Sequence, residues 1–234
     1  MSEQGSSNYI KLGSYEYNPA DILGSGAFAI VYKGRFSDNH DQKVAIKQMI
    51  KGQNVLKSKT LLSKEISVLR ISNTGVYLVI EFCNGGDLSE YLHIKKTLPE
   101  ETIRHFLIQI GSAMDAMNKR AIMHRDLKPG NILLSYYGNF SSVGDVPGHL
   151  ITFKLADFGF ARFLQDGIMA ETMCGSPMYM APEVLMCRKY DARADIWSMG
   201  VIVYQCYVGR APFYANSPEA LKNIYEKTVD LKPK

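Results

Sequence analysis

The sequence predicts an α+β chain in two parts, a small β-rich region followed by a larger helical one, and three observations carry that prediction. Between Tyr15 and Phe82, β-branched and aromatic residues alternate in short runs, notably Ile30 to Phe36 and Val44 to Met49, as half-buried strands require. After the pair Gly85-Gly86 the apolar residues recur at helical spacing. A chain of 234 residues with 46% hydrophobic content is long enough to bury a core in one two-lobed domain or two small ones.

Taken in order, residues 1–14 read as an N-terminal tail and 15–234 as the domain, with the β-rich part at 15–82 and the helical part at 83–234. Leu23 to Val31, L-G-S-G-A-F-A-I-V, suits a strand-turn-strand. Val44 to Lys47, V-A-I-K, is an alternating strand ending on a lone lysine. Leu61, Leu62, Ile66 and Leu69 recur at helical spacing and define a helix that carries Glu65. In the second part, Glu100 to Lys119 places Ile103, Phe106, Leu107, Ile110 and Met114 on one face. Asp195 to Val208 is apolar almost all round, which calls for full burial. Ser217-Pro218-Glu219 opens a further helix, with a hydroxyl cap, proline in the first turn and an acid at the positive end. The loop from Ser135 to Thr152, rich in Gly, Ser and Tyr, reads as a surface excursion.

The chemistry sits in two strings. His124 to Asn131 reads H-R-D-L-K-P-G-N, and D-F-G follows at Asp157 to Gly159. Together they supply a proton acceptor in Asp126, a phosphate clamp in Lys128 and hard oxygen ligands for Mg²⁺ in Asn131 and Asp157. Phosphoryl transfer needs in-line positioning and charge cancellation more than covalent catalysis, and these residue types provide both. H-R-D alone is a common polar loop; with D-F-G it resembles the working end of a protein kinase. Lys47 then gains a role on the nucleotide phosphates, with Glu65 as its ion-pair partner, although a solvated lysine and a surface carboxylate are the bland alternatives. The glycine loop by itself is a weak signal, and a dinucleotide-binding reading leaves Lys47 and H-R-D without a task.

Three longer strings narrow the resemblance. Tyr77 to Leu88, Asp157 to Gln165 and Cys174 to Glu183, with G-A-F-A-I-V-Y-K-G-R at Gly26 to Arg35, resemble the autophagy-initiating ULK-type serine/threonine kinases over nearly all of the chain after Tyr15. The resemblance implies the bilobal protein-kinase fold, with ATP held by Leu23, Gly24, Ser25, Gly26, Ala27, Phe28, Ala29, Val31, Ala45, Lys47, Glu81, Cys83 and Leu133, and with Ile80 as gatekeeper at the hinge. Lys128, Ser176 and Tyr179 look like the serine/threonine-specific branch, so the acceptor is a Ser or Thr hydroxyl of a protein. Regulatory proteins of the autophagy machinery are the implied partners, and the implied location is cytoplasmic, including peripheral association with sites of autophagosome formation.

Other classes find little support. The net charge of +4 is mild, and no stretch interleaves clustered Lys/Arg with aromatics as a nucleic-acid groove does. Cys83, Cys174, Cys187 and Cys206 form no C-x-x-C pair and read as reduced thiols. No leader or membrane-length apolar run is expected.

Two departures qualify the resemblance. Between Glu65 and Val76 stand only I-S-V-L-R-I-S-N-T-G, where the family has a helix end, a loop and a whole strand, so one sheet strand is expected to be absent. The sequence also stops at Lys234, before the family's last helices, and is expected to be C-terminally truncated. These gaps give the expectation of a weak, marginally stable kinase, with a non-catalytic nucleotide- or partner-binding variant as the alternative class. Thr172, between D-F-G and A-P-E, is the expected regulatory phosphate carrier, pairing with Arg125. In an otherwise complete domain, Thr172→Ala therefore lowers kcat/KM several-fold in a protein-phosphorylation assay; full activity in that variant makes Thr172 an ordinary loop residue.

Overall fold

The computed structural model describes residues 8–26, 29–49, 68–72, 75–157, 162–163 and 177–227. The chain divides into two compact units, residues 1–83 and 84–234.

Among the described residues, the first unit forms one antiparallel sheet. Its strands are β1 (Ile10–Leu12), β2 (Tyr15–Ser25), β3 (Ala29–Phe36), β4 (Lys43–Met49), β5 (Val68–Ser72) and β6 (Gly75–Glu81), ordered β1-β2-β3-β4-β6-β5. Tyr15, Tyr17, Tyr32 and Tyr77 bury their rings with Leu12, Val44, Ile46 and Val79 on one face. Tyr17 and Tyr32 stand 4.8 Å apart, centroid to centroid, and Gln48 links the Tyr32 and Tyr77 hydroxyls at 3.2 and 3.0 Å. Gly34 keeps this layer thin, since a Cβ there would meet Ile46 Cδ1 at 2.6 Å.

Two expectations change here. The sheet starts at Ile10, inside the segment read as a tail, because Ile10, Lys11 and Leu12 pair with Tyr17, Glu16 and Tyr15. The strand expected to be absent is present as β5, paired with β6 from Val68↔Val79 to Ser72↔Gly75. It is built from residues, Leu69 among them, that the helical spacing assigned to the Glu65 helix. The physical reason is the edge of β6: without a neighbour its backbone groups would go unpaired, and V-L-R-I-S is short and β-branched enough to serve. Glu65 itself lies outside the described residues.

The second unit is helical. Its elements are α1 (Leu88–Lys95), α2 (Glu100–Asn118), β7 (Ile122–Met123), β8 (Ile132–Ser135), β9 (Thr152–Leu155), β10 (Arg162–Phe163), α3 (Pro182–Leu185), α4 (Arg193–Val208) and α5 (Pro218–Lys227). β8 pairs with β9, and β7 with β10, both antiparallel. Asp87 and Glu90 form a capping box at the start of α1, and Ser217 Oγ accepts the Ala220 N–H at 3.1 Å to open α5, as its sequence implies. The core gathers Phe106 and Ile110 of α2 with Ile132 and Leu134 of β8, Phe153 of β9 and Met199, Ile202 and Cys206 of α4.

Three differences from the sequence reading are informative. Leu107 is 39% exposed and lies beside, not on, the buried stripe of α2. α4 is apolar all round yet exposes Ile196 at 61% and Tyr207 at 67%, so full burial is not reached among the described residues. The loop from Ser135 to Thr152 is no mere excursion: Val146 and Ile151 enter the core, and His105 and Gln109 both meet the Ile151 carbonyl, at 3.0 and 3.1 Å.

The glycine pair is fixed by a close approach. Gly85 N–H donates to Leu134 O at 2.8 Å, and a Cβ on Gly85 would sit 2.8 Å from that same oxygen. Because the obstacle is backbone, Gly85→Ala should cost about 1–3 kcal/mol. Urea denaturation with an unchanged midpoint in that variant contradicts this packing.

Candidate active site

In the sheet unit, β4 aligns its side chains by strand alternation. Val44 and Ile46 enter the tyrosine layer, so Ala45 and Lys47 share the opposite face. Register sets Val31 of β3 and Leu78 of β6 directly beside Lys47, and Lys33 and Ile80 beside Ala45. Val31, Ala45 and Lys47 are thereby brought together, with Lys47 half-buried among apolar neighbours. Gly24 pairs with Val31, and Gly26 N–H donates to Ala29 O at 2.9 Å, closing the turn. A Cβ on Gly24 or Gly26 would meet nothing within 4 Å. Packing therefore does not demand these glycines; what they provide is open space over bare backbone, which a phosphate requires. Ala27 and Phe28 lie outside the described residues, while Glu81 ends β6 and Cys83, half-buried, ends the unit.

In the helical unit, the segment from His124 to Asn131 is held from below. Asp195, 6% exposed in the first turn of α4, accepts the His124 N–H on Oδ2 at 2.8 Å and the Arg125 N–H on Oδ1 at 3.0 Å. Burial pushes the Asp195 carboxyl up, and these two backbone donors pull in the opposite direction. Arg125 needs the clamp, since its φ of 69° is left-handed, a conformation that costs a non-glycine residue about 1–3 kcal/mol. His124 is fully buried; its Nε2 meets Ala156 O at 3.0 Å as donor, which leaves Nδ1 to face the Asp126 N–H at 3.4 Å.

Asp126, Lys128 and Asn131 stand together on this base. Asp126 Oδ2 lies 3.0 Å from Lys128 Nζ and 3.0 Å from Asn131 Nδ2, and Nδ2 also donates to the Asp126 carbonyl at 2.8 Å. With its amide nitrogen committed to Asp126, Asn131 turns Oδ1 away as the end suited to a hard cation. Asp157, exposed and with φ at 60°, is tied to Asn131 through its neighbour, because Ala156 N–H donates to Asn131 O at 2.9 Å. No group of three or more His, Cys, Asp or Glu gathers for a metal among the described residues. A carboxylate and an amide oxygen fit a divalent ion whose remaining ligands are phosphate oxygens and water. Leu133, half-buried on β8, faces away from the buried Ile132 and Leu134.

The A-P-E end is anchored on the same helix. Ser198 Oγ donates to Tyr179 O at 2.7 Å, and Tyr179 OH donates to Gln205 Oε1 at 2.9 Å. Thr172 and Ser176 lie outside the described residues. Asp195 is the positioning residue that the sequence reading passed over, treating it only as the start of a helix. Its signal was there: it is the last charged residue before a long uncharged run, and a carboxylate at such a place needs buried donors.

The profile for the protein kinase domain matches residues 17–233. The chain belongs to the protein kinase domain family. Kinase domains of this family share the bilobal α+β fold and use ATP with a divalent metal ion. This domain is 54% identical over 236 residues to the serine/threonine-protein kinase unc-51 of Caenorhabditis elegans, covering 94% of this chain and 27% of that protein. It is 50% identical over 246 residues to the serine/threonine-protein kinase ULK1 of Homo sapiens, covering 99% of this chain and 23% of that protein. With the serine/threonine-protein kinase ATG1b of Arabidopsis thaliana the identity is 41% over 228 residues, covering 91% and 30%. The kinase domain thus spans about a quarter of the length of the curated relatives it matches. The 236-residue match to unc-51 exceeds the 234 residues of this chain while covering 94% of it, so that relative carries residues this domain lacks.

Removing one acceptor from the clamp tests it. Asp195→Asn turns an N–H donor toward a backbone N–H and leaves a buried amide unpaired, a loss of about 1–3 kcal/mol. The expected result is a lower melting temperature together with at least tenfold lower kcat; wild-type values of both contradict the clamp.

Proposed function

We propose that this chain is the catalytic domain of a serine/threonine protein kinase, transferring the γ-phosphoryl group of Mg-ATP to Ser or Thr hydroxyls of proteins. The observation that carries the reading is the set at Asp126, whose Oδ2 has Lys128 Nζ and Asn131 Nδ2 each at 3.0 Å. In this reading Asp126 orients the acceptor hydroxyl and takes its proton as the oxygen attacks phosphorus. Lys128 moves from Asp126 toward the transferring phosphate, and Lys47 holds the phosphates of the nucleotide from the sheet unit. Glu65 keeps Lys47 in place. Bound at Asn131 and Asp157, Mg²⁺ would supply positive charge against the nucleotide phosphates.

By resemblance to the family, adenine contacts are assigned to Leu23, Val31 and Ala45 of the sheet unit and, separately, to Leu133 of the helical unit, hinge backbone contacts to Glu81 and Cys83, and phosphate contacts to the turn from Gly24 to Ala29. Phosphate on Thr172 draws in Arg125 and orders the segment before A-P-E. The similarity to unc-51 and ULK1 supports a place in autophagy initiation within a longer protein, with autophagy regulators as partners and cytoplasmic or membrane-peripheral location. Among the described residues no helix is long and apolar enough to cross a membrane. The non-catalytic alternative is less well supported, because a binding module has no use for an aspartate set between a lysine and an asparagine.

Phosphate transfer to a generic protein substrate, measured beside nucleotide affinity, separates the roles. Asp126→Asn should reduce kcat at least about 100-fold while the Kd for Mg-ATP changes less than about threefold. Loss of both in equal measure contradicts the assignment of Asp126 as base.

A further inference from the structure

The sheet unit contains a cavity to which, Leu23 apart, the phosphotransfer reading assigns no role. β2 leaves its register with β3 between the Tyr17↔Gly34 and Ile22↔Tyr32 pairs, so Asn18, Pro19, Ala20 and Asp21 stand opposite Lys33 alone. Two local features cause the bulge. Pro19 has no N–H to give the ladder, and the Asn18 side chain turns forward to accept the Ala20 N–H at 3.0 Å. The displaced strand opens a cavity of about 490 Å³, within the size range of ligand sites.

The cavity is cationic. Lys33, Arg35 and Lys43 line it, against Asp21 as the acid among its lining residues. Arg35 is held in place, with Nε and Nη2 both 2.8 Å from Glu16 Oε1 and its guanidinium 4.0 Å above the Tyr9 ring. Glu16 also has His40 at 3.3 Å, so its charge is already answered. The two lysines meet neutral partners instead: Lys43 donates to the His40 carbonyl, and the Lys33 ammonium lies 5.2 Å from the centre of the Phe82 ring. Beside them the rim is apolar, with Ile22 54% and Leu23 48% exposed.

We propose that this cavity binds an acidic peptide segment, whose carboxylates meet Lys33 and Lys43 while an adjacent apolar side chain covers Ile22 and Leu23. A free inorganic anion would satisfy the lysines but leave the apolar rim in water, whereas a segment of alternating acidic and apolar residues matches both. The site goes beyond the phosphotransfer reading, though it shares Leu23 with it and its Lys33 stands in register with Ala45 on the same face of the sheet.

A fluorescein-labelled peptide of alternating Glu and Leu, titrated into the full chain and followed by anisotropy, tests this directly. The expected result is saturable binding that persists under saturating Mg-ATP and weakens at least about tenfold in the Lys33→Gln/Lys43→Gln double variant, whose melting temperature stays at the wild-type value, and measurably in Lys43→Gln alone, whose nucleotide affinity also stays at the wild-type value. Equal binding of the Gln-Leu counterpart, indifference to the double substitution, or one-for-one displacement by ATP overturns the proposal. Absence of saturable peptide binding overturns it as well, including the case where phosphatidylserine vesicles bind in its place.

Discussion

The carboxylate of Asp195 is the constraint on which the helical unit's chemistry depends. It is buried in the first turn of α4 and answers two consecutive backbone N–H groups, those of His124 and Arg125. Burying a charge is costly unless donors surround it, so the cost is offset only when the loop takes this one conformation. That conformation includes Arg125 at φ 69°, which hydrogen bonding elsewhere must sustain. From there the order spreads outward: His124 fixes Ala156, Ala156 ties Asn131, and Asn131 grips Asp126 from its carbonyl and its carboxylate. One apolar helix thus fixes Asp126 and Asn131, and the backbone beside Asp157, through a chain of hydrogen bonds that begins at Asp195.

The sheet unit obtains its order differently. Its stiffness comes from ring packing on one face, where four tyrosines lie with aliphatic side chains, and from the thin spot at Gly34. The opposite face is left to function, carrying Lys47, Ala45 and Val31 in adjacent register. In β2, Pro19 withdraws a backbone donor from the ladder and the strand leaves its register with β3.

What the sequence disclosed follows from where the information is local. V-A-I-K forms a strand as its alternation implies, because alternation is set by neighbours in the chain, and the close spacing of H-R-D-L-K-P-G-N brings Asp126 together with Lys128 and Asn131 in one loop. β5 was misread because Leu69 satisfies a helical spacing while V-L-R-I-S also satisfies a strand, and the choice rests with β6, remote from either pattern. β1 is three residues long and borrows its stability from β2, so it has no signature of its own. Asp195 was passed over because its partners lie about 70 residues earlier, beyond any periodicity. The exposed Ile196 and Tyr207 show the converse limit: an apolar pattern states what a helix needs, not what covers it.

The central claim is that the loop from His124 to Asn131 is as firmly held as the core beneath it, and amide hydrogen exchange in the native state measures that residue by residue. The account predicts that the His124 and Arg125 amides exchange as slowly as that of Ile202 in α4, through global unfolding only. Exchange of those two amides at the rate of the exposed Gly138 amide would contradict it.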